Sequence, residues 1–234
     1  MAELTNWNNG AHGQKFIASF SGGKDSVLAL YKAAKVGEAI GLIVMMEEEG
    51  KHSRSHGMPP ELIHAQAKSI GLPVYTGAAS WADYERVFIQ LLKNAKNQGA
   101  EVLVTGDWDI TAHGCWYEEV TKKAELKLGM PLWGMNHHDA VAEFINLGFV
   151  TIIDTVNLSM GMREDDLGRT LTHDYVKELE ARGIDPCGEG GEFHTTVIDG
   201  PNFKHPILVR KCEIIRDGEY TFLPLELEEL VNES

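Results

Sequence analysis

The 234-residue chain predicts an α/β fold: a parallel sheet with helices on both faces, followed by a smaller α+β region. Three observations lead there. Short apolar runs alternate with stretches of helical period from residue 16 to about residue 130, the rhythm of parallel strands joined by crossover helices. The run 39–46 is apolar throughout, as a strand covered on both faces would be. After Pro131 the rhythm changes to two helices, a β-branched strand and a strand-rich end.

The elements follow in order. Phe16-Ile17-Ala18-Ser19-Phe20 is a buried strand that stops at Ser21-Gly22-Gly23. A helix begins at Lys24, with Val27, Leu28, Leu30, Tyr31 and Ala34 as its apolar stripe, and ends near Gly37. After the strand 39–46 a polar loop, 47–57, leads to Pro59-Pro60, a helix through Ile70 and a brief strand, 73–76. Residues 81–98 form the clearest helix, because Tyr84, Val87, Phe88, Leu91, Leu92 and Ala95 recur at three- and four-residue steps. A strand at 102–105 and a helix at 116–128 complete this part. Beyond it come helices at 138–147 and 174–182, and strands at 149–156, 195–198, 207–216 and 220–223. Residues 1–15 are read as a loose arm, 16–130 as one domain and 131–234 as a second.

Lys and Arg total 21 against 35 Asp and Glu, a formal charge of −14. Such a chain is repelled by a nucleic-acid backbone unless a basic patch compensates, and none is visible. Three scattered cysteines, without a C-x-x-C pair, provide no disulfide framework and point to a reducing cytoplasm. No apolar run reaches the length of a membrane span. Pairing with a second copy through the smaller domain is compatible with the sequence.

Ser21-Gly22-Gly23-Lys24-Asp25-Ser26 lies between a strand and a helix. Its glycines allow close backbone approach, and the helix start adds N–H groups and partial positive charge for a phosphate. Ser21 and Ser26 offer hydroxyls and Lys24 a full charge; Asp25 beside phosphates needs a cation such as Mg²⁺ between. The spacing is not that of a Walker A loop. A glycine turn that merely starts a helix is the alternative, and the six residues in this context favour phosphate binding. The second unusual segment is Gly188-Glu189-Gly190-Gly191-Glu192-Phe193-His194-Thr195. By composition alone, a ligand site and a solvated acidic loop fit it equally.

The hexapeptide resembles the PP-loop of ATP pyrophosphatases, a Rossmann-like class that cleaves ATP between the α and β phosphates. Together, the two segments resemble the diphthine–ammonia ligase family of that class. Gly106-Asp107, the run from Leu128 to Trp133 and Leu167-Gly168-Arg169 add to the similarity, which spans residues 16–209. The resemblance implies that a substrate carboxylate attacks the α phosphate, pyrophosphate leaves, and ammonia displaces AMP to give an amide. It implies that Ser21, Gly22, Gly23, Lys24 and Ser26 hold phosphates, with Lys24 and Asp25 catalytic and Asp25 near Mg²⁺. Backbone at Val44 and Met45 would meet adenine, and Gly106 and Asp107 would border the nucleotide. Gly188, Glu189, Gly190, Gly191, Glu192, His194 and Thr195 would serve the acyl substrate.

Family members that make diphthamide usually follow the fourth strand with Ser-x-Tyr-Gln…Arg-x-Glu. Here the chain reads Asp107-Trp108-Asp109-Ile110-Thr111-Ala112-His113-Gly114-Cys115-Trp116-Tyr117-Glu118. This resembles a divergent branch, so the ATP chemistry carries over and the acid stays unassigned. Among the smaller signals, His137-His138-Asp139 is read as a helix start with a capping residue rather than as metal ligands. Cys115 and Cys187 lack a glutaminase-like setting, which leaves free ammonium as the nitrogen source. Trp108 and Trp116 are read as packing residues. Two competing functions remain open: sulfur transfer to tRNA, and a nucleotide sensor without turnover.

Overall fold

The computed structural model describes residues 13–228. Residues 1–12 of the expected arm lie outside the described residues, and Lys15 already opens the first strand. Five parallel strands, β1 (Lys15–Ser19), β2 (Glu38–Met46), β3 (Val74–Ala78), β4 (Val102–Val104) and β5 (Lys127–Gly129), form one sheet in the order β3-β2-β1-β4-β5. β1 is central, so both its faces must be apolar, and Phe16 and Ile17 are fully buried.

On one face Ile17, Ile43 and Leu103 share a cluster with Phe88 and Leu92 of α3 (Tyr84–Asn97) and Val120 of α4 (Thr111–Ala124). The alternate residues Phe16, Ala18, Leu42 and Val44 are also buried and point to the opposite face. A right-handed crossover lays α1 (Lys24–Ala34) there. Its Val27, Leu28 and Leu30 are buried, each contributing about 1.5–3 kcal/mol.

The expected helix 116–128 is corrected at both ends. The helix starts at Thr111 and stops at Ala124, where Glu125 turns left-handed at φ 55°. Lys127-Leu128-Gly129 then pairs with β4 as β5. The sequence predicts helix as far as Leu128, but the edge of β4 offers backbone hydrogen bonds to Lys127–Gly129 instead.

Contacts divide the chain into two compact units. One holds residues 71–136 and everything described before Met58; the other holds Met58–Ile70 and the described residues from His137 onward. The helix α2 (Pro60–Ile70) thus packs in the second unit, although the sequence predicts it within 16–130. Gln66 Nε2 donates to the Val197 carbonyl at 2.7 Å and the Ser69 hydroxyl to that of His205 at 2.6 Å.

The second unit adds α5 (His137–Asn146), β6 (Val150–Asn157), α6 (His173–Ala181), β7 (Phe193–Asp199), β8 (Val209–Lys211), β9 (Ile215–Asp217), β10 (Tyr220–Phe222) and β11 (Leu225–Leu227). They form an antiparallel sheet, β7-β6-β10-β9, and an antiparallel pair, β11-β8. The expected single strand 207–216 is therefore two, because β8 pairs with β11 and β9 with β10. Among the described residues, no helix is long and apolar enough to cross a membrane. None of the three cysteines is joined in a disulfide.

Asp154 on β6 is buried, accepting hydrogen bonds from the Thr196 hydroxyl (2.6 Å) and the Thr155 hydroxyl (3.0 Å). Burial pushes its carboxyl up from 3.8 to about 6, against the pull of those hydroxyls. The folded chain thus holds this proton more tightly than the unfolded one. The associated stability is present below pH 4 and lost as pH rises through 6, about 3 kcal/mol in all. Urea melts of Asp154→Asn should lack this loss between pH 4 and 7, whereas the parent chain should show it.

Candidate functional site

The sheet order reverses between β1 and β4, and the loops after these two strands open the crevice where such sheets take ligands. The loop after β1 is Ser21–Ser26. Gly22 has φ +80°, a left-handed conformation that a side chain would strain, and Gly23 is extended at the cap of α1. Internal hydrogen bonds hold the loop's shape. The Gly23 N–H donates to Ser21 Oγ (3.4 Å), the Ser21 hydroxyl to Ser26 Oγ (3.2 Å), and the Ser26 hydroxyl to the Gly23 carbonyl (3.0 Å).

Lys24 is 5% exposed, and its Nζ lies 2.9 Å from Asp25 Oδ2. A buried ammonium of this kind is costly unless an anion compensates it. Asp25 supplies one oxygen for that purpose. Its other oxygen, Oδ1, is buried and accepts no hydrogen bond among the described residues. A hard carboxylate oxygen left this way fits a divalent cation, so the residues present suit Mg²⁺.

The loop after β4 is pressed against this one. A Cβ added to Gly106 would lie 2.7 Å from Asp25 C, 2.8 Å from Asp25 O and 2.8 Å from Ser26 N, all backbone atoms. Only glycine lets the two loops touch. Beside it, the Thr105 hydroxyl is buried and without a partner among the described residues, a group whose strand position gives no sequence signal of a site role. Asp107 Oδ1 lies 3.0 Å from His113 Nδ1. The packing around Tyr117 pushes its hydroxyl well above the usual range, and the Asp107 charge adds to that; burial and then Asp107 also raise Tyr84. Trp108 is buried, and Trp116 packs against Phe88 at 5.3 Å, so both are packing residues. Val44 and Met45 sit buried in β2, opposite Thr76 and Gly77 of β3.

In the second unit the acidic glycine segment runs into β7. Asp185 organises its entrance: Oδ1 accepts from the Cys187 N–H (3.0 Å) and Oδ2 from the Glu189 N–H (3.3 Å). The Gly188 N–H donates to the Asp185 carbonyl (3.0 Å) and the Gly191 N–H to that of Gly188 (3.1 Å). The Glu192 carboxylate folds over Gly190, where a Cβ would lie 2.9 Å from its Oε1. Glu192 Oε2 is buried and accepts nothing among the described residues. His194 pairs with Thr155, and Thr195, 1% exposed, with Ile153. Arg169 lies 3.8 Å over the Tyr175 ring and forms two hydrogen bonds with Glu178, at 2.9 and 2.8 Å, which gives it a structural part.

The profile of the diphthamide synthase N-terminal domain matches residues 14–128, and that of the C-terminal domain matches residues 136–231. A diphthine–ammonia ligase of Schizosaccharomyces pombe is 27% identical over 91% of this chain, which spans 39% of that protein's length. The diphthine–ammonia ligase of Mus musculus is 28% identical over 90% of this chain and 88% of its own. Among solved structures, a predicted subunit of tRNA methyltransferase from Methanocaldococcus jannaschii aligns at a TM-score of 0.41 and 15% identity, over 80% of this chain and 98% of that one. With matches to both domains across most of its length, the chain belongs to the diphthamide synthase family.

Proposed function

We propose that the chain is an ATP-dependent amide ligase of the cytoplasm. A substrate carboxylate oxygen attacks the α phosphorus of ATP, the bond to the β-phosphate oxygen breaks, and pyrophosphate departs. Ammonia then attacks the acyl carbon, loses a proton, and AMP leaves with the electron pair. The observation that carries this reading is the Ser21–Ser26 loop at the sheet's switch point, with its buried Lys24. The relatives' shared name, diphthine–ammonia ligase, supports the same chemistry.

In this reading the left-handed Gly22 and the first N–H groups of α1 face the phosphates, and Lys24 offsets charge on the departing pyrophosphate. Asp25 would hold Mg²⁺, which when bound neutralises phosphate charge. Gly106 and Asp107 border the nucleotide, and backbone near Val44 and Met45 meets adenine. The segment Gly188–Thr195 serves the acyl and ammonia side. Glu192 is its main polar group, because a buried carboxylate oxygen without a donor suits ammonium or an N–H-bearing acceptor. The acid is proposed only as a carboxylate, on a small molecule or a modified protein side chain. The segment Asp107–Glu118 departs from the pattern associated with diphthine. Sulfur transfer to tRNA is disfavoured by the charge of −14 and the absence of a C-x-x-C pair.

Screening carboxylic acids for ATP–pyrophosphate exchange, followed by chromatography of the products with ammonium, tests the proposal. AMP and pyrophosphate are expected; ADP and orthophosphate would overturn it. Replacing both Glu189 and Glu192 by Gln should leave ATP affinity within about twofold. Amide formation should fall on the order of a hundredfold. A large loss of ATP binding with normal acid dependence would move these carboxylates to the nucleotide instead.

A further inference from the structure

We propose that His137, Asp185 and Cys187 form a binding site for a transition-metal ion of the zinc type, separate from the Mg²⁺ role given to Asp25. The three come from the first residue of α5 and from the loop that opens the acidic glycine segment. One ligand atom from each lies within 4.8 Å of the others. An imidazole nitrogen, a carboxylate oxygen and a thiolate sulfur make a borderline-soft donor set that suits Zn²⁺ or Co²⁺ and not Mg²⁺.

The surroundings have the features such a site needs. Asp185 is oriented by two backbone N–H groups, those of Cys187 and Glu189. Outer hydrogen bonds of this kind hold a ligating carboxylate in place. Cys187 is 1% exposed, whereas the His137 and Asp185 side chains are 25% and 23% exposed. The cluster is therefore closed behind the sulfur and open on the other side, leaving a fourth position for water.

His137 Nδ1 and Asp185 Oδ2 are 2.9 Å apart, a hydrogen-bond distance. Metal bonds of about 2.0–2.2 Å to nitrogen and oxygen in a tetrahedron separate the two ligands by about 3.4 Å. The ion thus needs an opening of about half an ångström, and it displaces the shared proton and the thiol proton to solvent. The hydrogen bond that the Cys187 thiol donates to the His137 carbonyl, at 3.4 Å, is lost with that proton. Binding here would pin the entrance of the Gly188–Thr195 segment to α5.

The test uses the purified full chain, stripped with chelator, and Co²⁺ as a spectroscopic probe. One equivalent should produce thiolate-to-metal charge-transfer absorption in the near ultraviolet and the intense visible bands of a four-coordinate ion. Zn²⁺ should bleach both. Cys187→Ser should abolish the charge-transfer band, and His137→Gln, which keeps the thiol, should weaken Co²⁺ binding at least tenfold. Because Cys187 is buried, thermal melts first establish that each variant is folded; the His137 variant, at a partly exposed position, stands if the cysteine variant does not. No charge-transfer band with the parent chain would overturn the site, leaving the His137–Asp185 contact as a hydrogen bond only. So would a band that survives in folded Cys187→Ser, or unchanged affinity in His137→Gln. None of these readouts involves ATP, so they stand or fall independently of the ligase reading.

Discussion

Replacing Lys24 by Gln is expected to lower AMP-forming turnover on the order of a hundredfold or more while leaving the chain folded. Lys24 is the full positive charge of the proposed phosphate loop, and burial removes it from the screening of bulk water. Its attraction for a developing pyrophosphate is therefore large. Gln retains an N–H donor on a side chain one atom shorter and removes the charge that now lies 2.9 Å from Asp25 Oδ2. Lys24→Ala should also lose stability, by about 1–3 kcal/mol, because Asp25 is then left without that donor. Asp25→Ala should show a similar loss of turnover, through the divalent cation proposed at its unpartnered Oδ1. Pyrophosphate release with the acid found by the exchange screen measures turnover, and thermal melts establish the folded state. Near-normal turnover in folded Lys24→Gln would remove the lysine from the mechanism.

Gly106→Val should be nearly as damaging, although position 106 offers no side chain to the reaction. The added Cβ would lie within 2.8 Å of backbone atoms of both Asp25 and Ser26, so relief requires moving the main chain of the Ser21–Ser26 loop. Overpacking of this kind costs about 1–3 kcal/mol. The displacement also misdirects the N–H groups at the start of α1, so ATP affinity is expected to fall at least tenfold. Calorimetric titration with ATP and Mg²⁺ measures this, with Gly106→Ala as the milder member of the pair. Normal affinity in both variants would show that the loop Ser21–Ser26 does not hold the phosphates.

Much of the first unit was legible in the sequence because its signals are local. Phe16–Phe20 ends at paired glycines and a helix start, the local pattern of a buried strand that feeds a helix. The period of Tyr84, Phe88 and Leu92 likewise foretells the face that α3 buries. The errors fall where a distant partner outweighs local preference. The sequence predicts helix at β5 because the edge of β4, which pairs with it, is more than twenty residues away in the chain. Thr111, His113 and Gly114 are weak helix formers and no side chain caps the first turn, so the true start of α4 left no mark in the sequence.

The same division runs through the site. The sequence alone singled out Ser21–Ser26 and the acidic glycine segment as candidates, since each is a short string with distinctive backbone chemistry. The tertiary structure alone decided what surrounds them. Gly106 looked like one weak piece of a resemblance until its contact with Asp25 and Ser26 made it obligatory. His137 and His138 were neighbours with no shared task. In the fold they turn apart, His138 to Glu180 at 2.7 Å and His137 to Asp185 at 2.9 Å, beside Cys187. Side chains of adjacent helical residues diverge, so the partners of a histidine are set by whichever elements pack against each face. Those partners lie more than forty residues away, at a range where local pattern says nothing and packing says everything.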